Sequence, residues 1–229
     1  MRDTLPAWLA AAGDSMRISD LSKQTGVPVA TIKFYLRERL LPAGRPTGRN
    51  QAEYSEAHVR RLRLIRALAN IGQFELSVVR EVLAAVENEE LPMRDLYEVI
   101  NRALVPPEPA TTEADGLDQA GAEVTRFIAA LGWQVAEDSP SRVRLAHVVA
   151  ALERLGCACG IDFFLPYAET AERIAAQELD LLPPDRTRGG RAGAVVRAVL
   201  FDIALAAMRR MAQQHYVALR FGAARDRDE

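Results

Sequence analysis

The sequence predicts a mostly α-helical protein: a small N-terminal unit carrying one short β-ribbon, then a separate all-helical C-terminal unit. Three observations predict it. Almost every apolar segment repeats at helical spacing. A dense cluster of Pro42, Gly44, Pro46, Gly48 and Asn50 breaks that pattern once. Residues 105–116 (VPPEPATTEADG) lack apolar periodicity and read as a semi-rigid linker, the best boundary in the chain.

In order, residues 1–15 form an N-terminal extension and residues 16–90 the first unit. Ser19 is expected to cap a short helix from Asp20, with Ile18 and Leu21 buried and Gly26 ending it. Pro28 suits the first turn of a second helix, where no amide hydrogen is needed. Val29, Ile32 and Leu36 then share a buried face, leaving Ala30, Thr31, Lys33, Phe34 and Arg37 outward. Leu40-Leu41 and Ala52–Tyr54 flank the Gly/Pro cluster and are expected to pair as the ribbon. Ser55 caps a third helix carrying Val59, Leu62, Ile65 and Ala69 inward and Arg60, Arg61, Arg63 and Arg66 around its rim, with Gly72 stopping it. Amphipathic helices follow near residues 76–86 and 92–104, so residues 91–116 are a connecting helix and linker. The last unit, 117–229, is expected to hold helices near 118–131, 141–155, 166–181 and 192–220. The last of these is long enough to suggest packing on a symmetry mate.

Charge is distributed unevenly. Residues 16–66 contain 11 Lys and Arg against 4 Asp and Glu, whereas residues 105–229 contain 14 against 18. A basic head on a mildly acidic body is the electrostatic footprint of a nucleic-acid-binding module. The chain has 49% hydrophobic and 26% charged residues, which supports folded domains and argues against wholesale disorder. No run approaches the roughly 20 clean apolar residues of a membrane span, and the N-terminus is a poor secretion signal. A cytoplasmic location without a membrane partner is therefore expected, and two closely spaced cysteines agree with a reducing compartment.

Short helix, tight turn, second helix, Gly/Pro-rich hairpin and basic helix together describe a winged helix-turn-helix. A helix fits the major groove of B-DNA, where each base pair displays a distinct set of donors, acceptors and methyl groups. The free face of the second helix supplies Thr31, Lys33 and Phe34, with Arg37 beside them, while Tyr35 offers a phenol to phosphate. Arg45 and Arg49 sit on the hairpin. Arg17, Tyr54 and Arg60 complete the candidate DNA-binding set.

Particular motifs carry a resemblance: residues 17–27 (RISDLSKQTGV), Thr31 to Tyr35 (TIKFY), Leu40-Leu41-Pro42, and Tyr54-Ser55 followed by His58 to Leu62 (HVRRL). In this order and at these distances they resemble the MerR family of bacterial transcription regulators over roughly the first 90 to 100 residues. The resemblance implies a homodimer that binds an inverted-repeat promoter operator in double-stranded DNA, with RNA polymerase as a further partner. Against the family pattern, Lys33 replaces a usual arginine, Phe34 a usual tyrosine, and Ala52 a usual wing arginine. The alternative from another class is a protein-interaction adaptor whose helix-turn-helix no longer binds DNA.

The C-terminal unit has no counterpart in that resemblance. Trp133, Phe127, Phe163, Phe164, Tyr167, Phe201, Met208, Met211 and Tyr216 are expected to build its core, with Trp133, Phe163, Tyr167 and Met208 as candidate walls of a pocket for a small apolar effector. Cys157 and Cys159 are weak metal-site candidates, since a soft cation would require further ligands; no cofactor is expected. Three histidines, no Gly-rich phosphate loop and no nucleophile elbow give no basis for an enzyme.

Overall fold

Leu21 and Ile32, both fully buried, anchor the first two helices of a computed structural model that describes residues 15–48, 51–105, 116–157, 159–182 and 188–221. Helix α1 (Ile18–Thr25) starts two residues earlier than the sequence suggests: Arg17, not Ser19, is its cap, and the Arg17 amide donates to Asp20 Oδ2 at 3.2 Å. An acidic first-turn side chain that satisfies an orphan amide outweighs the serine's local preference. Gly26 ends α1 in the left-handed region, at φ 66°. Helix α2 (Val29–Arg37) follows, with Pro28 as its cap.

The ribbon is displaced from its expected place. Strand β1 (Arg45–Gly48) pairs antiparallel with β2 (Gln51–Glu53), Arg45 opposite Glu53 and Pro46 opposite Ala52, with an irregularity before Gly48. Leu40 and Leu41 are instead core residues whose amides both donate to the Tyr35 carbonyl, at 2.9 and 3.1 Å. Two adjacent leucines bury more apolar surface in a core than on a two-stranded ribbon. At the ribbon's base, a Cβ on Gly44 would lie 2.6 Å from the Glu53 carbonyl oxygen, so that close approach requires glycine.

Helix α3 (Glu56–Arg66) buries Val59, Leu62 and Ile65 as its spacing predicts. It runs into a π-helical turn, Ala67–Ile71, that changes the period and leaves Ala69 half-buried rather than inward. Gly72 follows, where a Cβ would meet the Leu68 carbonyl oxygen at 2.7 Å. Helix α4 (Leu76–Glu87) adds Val79, Val82, Leu83 and Val86 to the buried set.

The chain divides into two compact units: residues 1–87 with 196–229, and Asn88–Val195. The second contains α5 (Met93–Leu104), α6 (Leu117–Ala130), α7 (Pro140–Arg154), a 3₁₀ turn at Ile161–Phe164 and α8 (Leu165–Asp180). The final helix, α9 (Arg188–Phe221), contributes to both units, and the division falls after Val195. The core of the second unit differs from the aromatic one expected. It is a small-residue seam of α6 and α7, namely Ala120, Val124, Ile128, Ala146, Val149 and Ala150, with Trp133 and Phe164 packed on its margin. Phe163, Tyr167, Met208, Met211 and Tyr216 are exposed. Alanines let two helix backbones approach closely, and the larger rings no longer fit between them. Buried Arg191 at the start of α9 donates to the Leu91 carbonyl at 2.7 Å, which ties that helix to the segment before α5. Among the described residues, no helix is long and apolar enough to cross a membrane.

Candidate nucleic-acid interface

Helix α2 divides its side chains between inside and outside. Ile32 and Tyr35 point into the core, Lys33 and Arg37 are exposed, and Thr31 and Phe34 are half-buried along the edge. Arg17, Arg45 and Arg60 are exposed on α1's cap, β1 and α3. Among the described residues, Lys33, Arg37, Arg45 and Arg60 form no ion pair. Exposed cations without carboxylate partners are available to phosphate oxygens at little desolvation cost. Arg49 lies outside the described residues.

Two candidate contacts belong to the core instead. Tyr35 is 6% exposed and Tyr54 7% exposed. The Tyr54 ring packs edge-on against His58 with centroids 5.1 Å apart, and burial pushes its phenol pKa up. Its backbone pairs with Met16 through amide–carbonyl bonds of 2.8 and 2.9 Å, which fixes the strand after the ribbon to the chain entering α1. Both tyrosines therefore set the position of the helix and ribbon that bear the cations. Aromatic rings at helical spacing gain more from burial than from an exposed hydrogen bond.

What holds α2 in place is a set of side-chain ties that the sequence did not reveal. Arg61, expected on a solvated rim, donates through Nε to the Leu40 carbonyl and pairs through Nη1 with Glu87 at the end of α4. Burial lowers the Arg61 pKa, opposed by the Glu87 charge. Arg66 likewise reaches inward, its Nη1 donating to the Thr25 carbonyl at 2.8 Å, so α3 caps the C-terminus of α1. Gln24 Nε2 donates to Glu56 Oε1 at 2.8 Å, and Arg80 Nη2 donates to the Glu38 carbonyl at 3.2 Å. The only hint in the sequence was the pairing of long cationic side chains with an apolar helix face.

His58 is buried, its Nδ1 accepting from the Ser55 amide at 3.0 Å. Desolvation lowers its pKa below 6.5, outweighing the hydrogen bonds to Ala43 and Ser55 that raise it. The imidazole is thus kept neutral inside the head.

The candidate effector walls are not brought together. Trp133 packs on the α6–α7 seam, while Phe163 and Tyr167 form an exposed ring cluster with Phe164, centroids 5.6 to 6.0 Å apart. Met208 lies in the other unit. A cleft of about 460 Å³ in the second unit is lined by Glu123, Arg126, Phe127, Ala130, Gly160, Ile161 and Asp162, none of them among those four. Cys157 and Cys159 face each other with sulfurs 2.8 Å apart, and the Cys157 thiol holds the Cys159 pKa up. Among the described residues, no group of three or more His, Cys, Asp or Glu could hold a metal ion.

Residues 16–86 match the model of the MerR HTH family regulatory protein. The mercuric resistance operon regulatory protein of Bacillus cereus is 33% identical over 82 residues, covering 36% of this chain and 61% of that protein. The HTH-type transcriptional regulator ZntR homolog of Haemophilus influenzae is 34% identical over 89 residues, covering 39% and 62%. The HTH-type transcriptional regulator CueR of Yersinia pestis is 34% identical over 73 residues, covering 32% and 52%. The chain thus spans between 52% and 62% of the length of these curated relatives. Similarity to SCO5550 from Streptomyces coelicolor A3(2), a candidate transcriptional regulator of solved crystal structure, extends further. The two are 35% identical with a TM-score of 0.67, over 90% of this chain and 98% of that one. The head with its small ribbon, the motif order and these matches agree: residues 16–86 are a MerR HTH family domain, in a chain similar over most of its length to a candidate transcriptional regulator.

Proposed function

We propose that this protein is a DNA-binding transcription regulator that acts as a homodimer on an inverted-repeat promoter site. One observation carries the reading: α2 presents Lys33 and Arg37 outward, unpaired, on a head whose every neighbouring element is tied down. A rigid, cationic helix edge suits insertion into the major groove, with Arg45 on the ribbon and Arg17 and Arg60 at its flanks meeting the sugar-phosphate backbone. Two heads related by a two-fold axis would read two half-sites of matching symmetry. Transcription by RNA polymerase at that promoter would then follow the occupancy and shape of the site. A small ligand bound by the second unit would modulate it.

The test is a titration of full-length protein against the DNA upstream of its own coding sequence, beside a scrambled duplex of equal length. The reading predicts a shift at nanomolar protein that survives excess scrambled DNA and is lost when one half-site is inverted. Equal, weak binding to both duplexes would support the adaptor alternative and end this reading.

A further inference from the structure

Cys157 and Cys159, the two cysteines of the chain, have no part in the DNA-binding head. They lie in the short connector between α7 and the 3₁₀ turn at Ile161–Phe164. Gly156 ends α7 in the left-handed region, at φ 69°, and the Cys157 amide donates to the Leu152 carbonyl at 3.0 Å. The first cysteine is thereby fixed on the end of the helix. The second stands two residues on, and two residues of chain span at most about 7 Å, close to the roughly 4.4–6.8 Å between Cα atoms that a disulfide bridges. Both thiols are free and their sulfurs are 2.8 Å apart, so a bond of about 2.05 Å requires them to close by under about 1 Å. Cys157 is exposed, whereas Cys159 is partly covered. The Cys157 sulfur also holds the Cys159 pKa up, so Cys159 is the member that keeps its proton. Among the described residues, no third His, Cys, Asp or Glu joins the pair into a metal site. An accessible sulfur beside a protonated one, without further ligands, suits two-electron thiol chemistry.

We propose that Cys157 and Cys159 are a hydroperoxide-sensitive dithiol that closes reversibly to an intrachain disulfide and so restrains the turn that follows it. The oxidant is hydrogen peroxide or an alkyl hydroperoxide. The Cys157 thiolate attacks the terminal peroxide oxygen: an S–O bond forms, the O–O bond breaks, and the remainder leaves as hydroxide or alkoxide, which takes up the proton that Cys157 released. The Cys159 sulfur then attacks the Cys157 sulfenic acid. The S–S bond forms, the S–O bond breaks, and water departs with the Cys159 proton. Two thiols lose two electrons, and one peroxide gains them. A small, exposed disulfide ring belongs to the readily reduced class, so thiols of a reducing compartment reopen it. Closure also reaches the cleft of about 460 Å³ in the same unit. Gly160, Ile161 and Asp162, directly beyond Cys159, form one of its walls, opposite Glu123, Arg126 and Phe127 of α6. A cross-link at the base of that wall removes conformational freedom from it, so the oxidised chain holds the cleft more rigidly than the reduced one.

Thiol counting and mass spectrometry of the full chain, treated with a few equivalents of hydrogen peroxide in the presence of a chelator, test the site. Both free thiols are expected to disappear with a mass loss of about 2 Da per chain. No covalent dimer should appear on a non-reducing gel, and dithiothreitol should restore both thiols. Cys159→Ser should stop at a Cys157 sulfenic acid that dimedone traps, and Cys157→Ser should lose its remaining thiol at least roughly tenfold more slowly. Hydrogen exchange in the wild type should slow across residues 161–164 on oxidation. None of these readouts depends on DNA binding, and circular dichroism verifies that the serine variants fold. Thiols that persist at a dose that oxidises glutathione overturn the site, as does thiol loss only through bonds between chains or through sulfonic acids. Equal rates in the two serine variants overturn Cys157 as the attacking sulfur, and unchanged exchange across 161–164 overturns the restraint on the cleft wall.

Discussion

The head and the Asn88–Val195 unit are both built from short helices, yet they bury different things. In the head, Leu21, Ile32, Leu40, Leu62, Ile65, Leu68 and Leu83 are buried nearly completely. Arginine side chains bridge from α3 and α4 to backbone carbonyls on α1 and just after α2. The second unit joins α6 to α7 across alanines and valines and leaves Phe163 and Tyr167 in solvent. The difference teaches where rigidity is needed. A groove-reading helix must hold its edge to within a fraction of an ångström, whereas a body with a thin seam and exposed rings can repack at modest cost.

The contrast breaks or holds first on core truncations. Leu62→Ala in the head is expected to cost about 2–5 kcal/mol and to abolish DNA binding at moderate temperature. Val149→Ala in the α6–α7 seam should cost less, about 0.5–3 kcal/mol, and leave DNA affinity intact. Urea unfolding of each variant, followed by DNA titration, measures both. Equal losses, or a larger one at Val149, would contradict the contrast between the two units.

Next in size is the tie from α3 to the end of α2. Arg61→Ala removes a charged hydrogen bond to the Leu40 carbonyl and leaves Glu87 without its partner. About 2–3 kcal/mol of stability should be lost. A Met replacement at 61 with Leu at 87, which removes both charges, should recover most of it. Failure of that double variant to recover would show that the carbonyl bond matters more than the ion pair.

A smaller effect, of opposite sign, is expected at Arg39, whose φ of 57° puts a branched-free but bulky residue in the left-handed region directly after α2. Arg39→Gly should raise stability by about 1 kcal/mol through relief of that conformation. Thermal unfolding would show it as a small rise in Tm.

His58 adds a pH dependence to the head alone. Its folded pKa lies below the unfolded value of 6.5, so the unfolded chain binds the proton more readily. Stability from this group is complete above pH 6.5 and is lost as pH falls through 6.5 towards the lowered folded value. His58→Gln should flatten that part of the stability curve, and urea midpoints between pH 7.5 and 5 would reveal it.

Much of this architecture could be read from the sequence because its signals are local. Helix α2's buried Ile32 and outward Lys33 follow from a period of 3.6, and the presence of a ribbon between α2 and α3 from the density of Gly and Pro. Its first strand and register could not, because Leu40 and Leu41 choose between pairing and burial only once α3 and α4 exist to cover them. Nor could the roles of Arg61 and Arg66, whose bonds span 21 and 41 residues of chain. In the second unit, aromatic content misled: ring size suggests a core, but closeness of two alanine-bearing helices decides who enters it.

The central claim is that the outward edge of α2 meets DNA phosphate and bases, and salt dependence reads it most directly. Plotting log affinity against log salt for the wild type, Lys33→Ala and the exposed α1 control Lys23→Ala, the account predicts that only Lys33→Ala weakens binding and reduces the slope, by about 0.9. Equal slopes for all three, or a loss at Lys23 in place of Lys33, would contradict it.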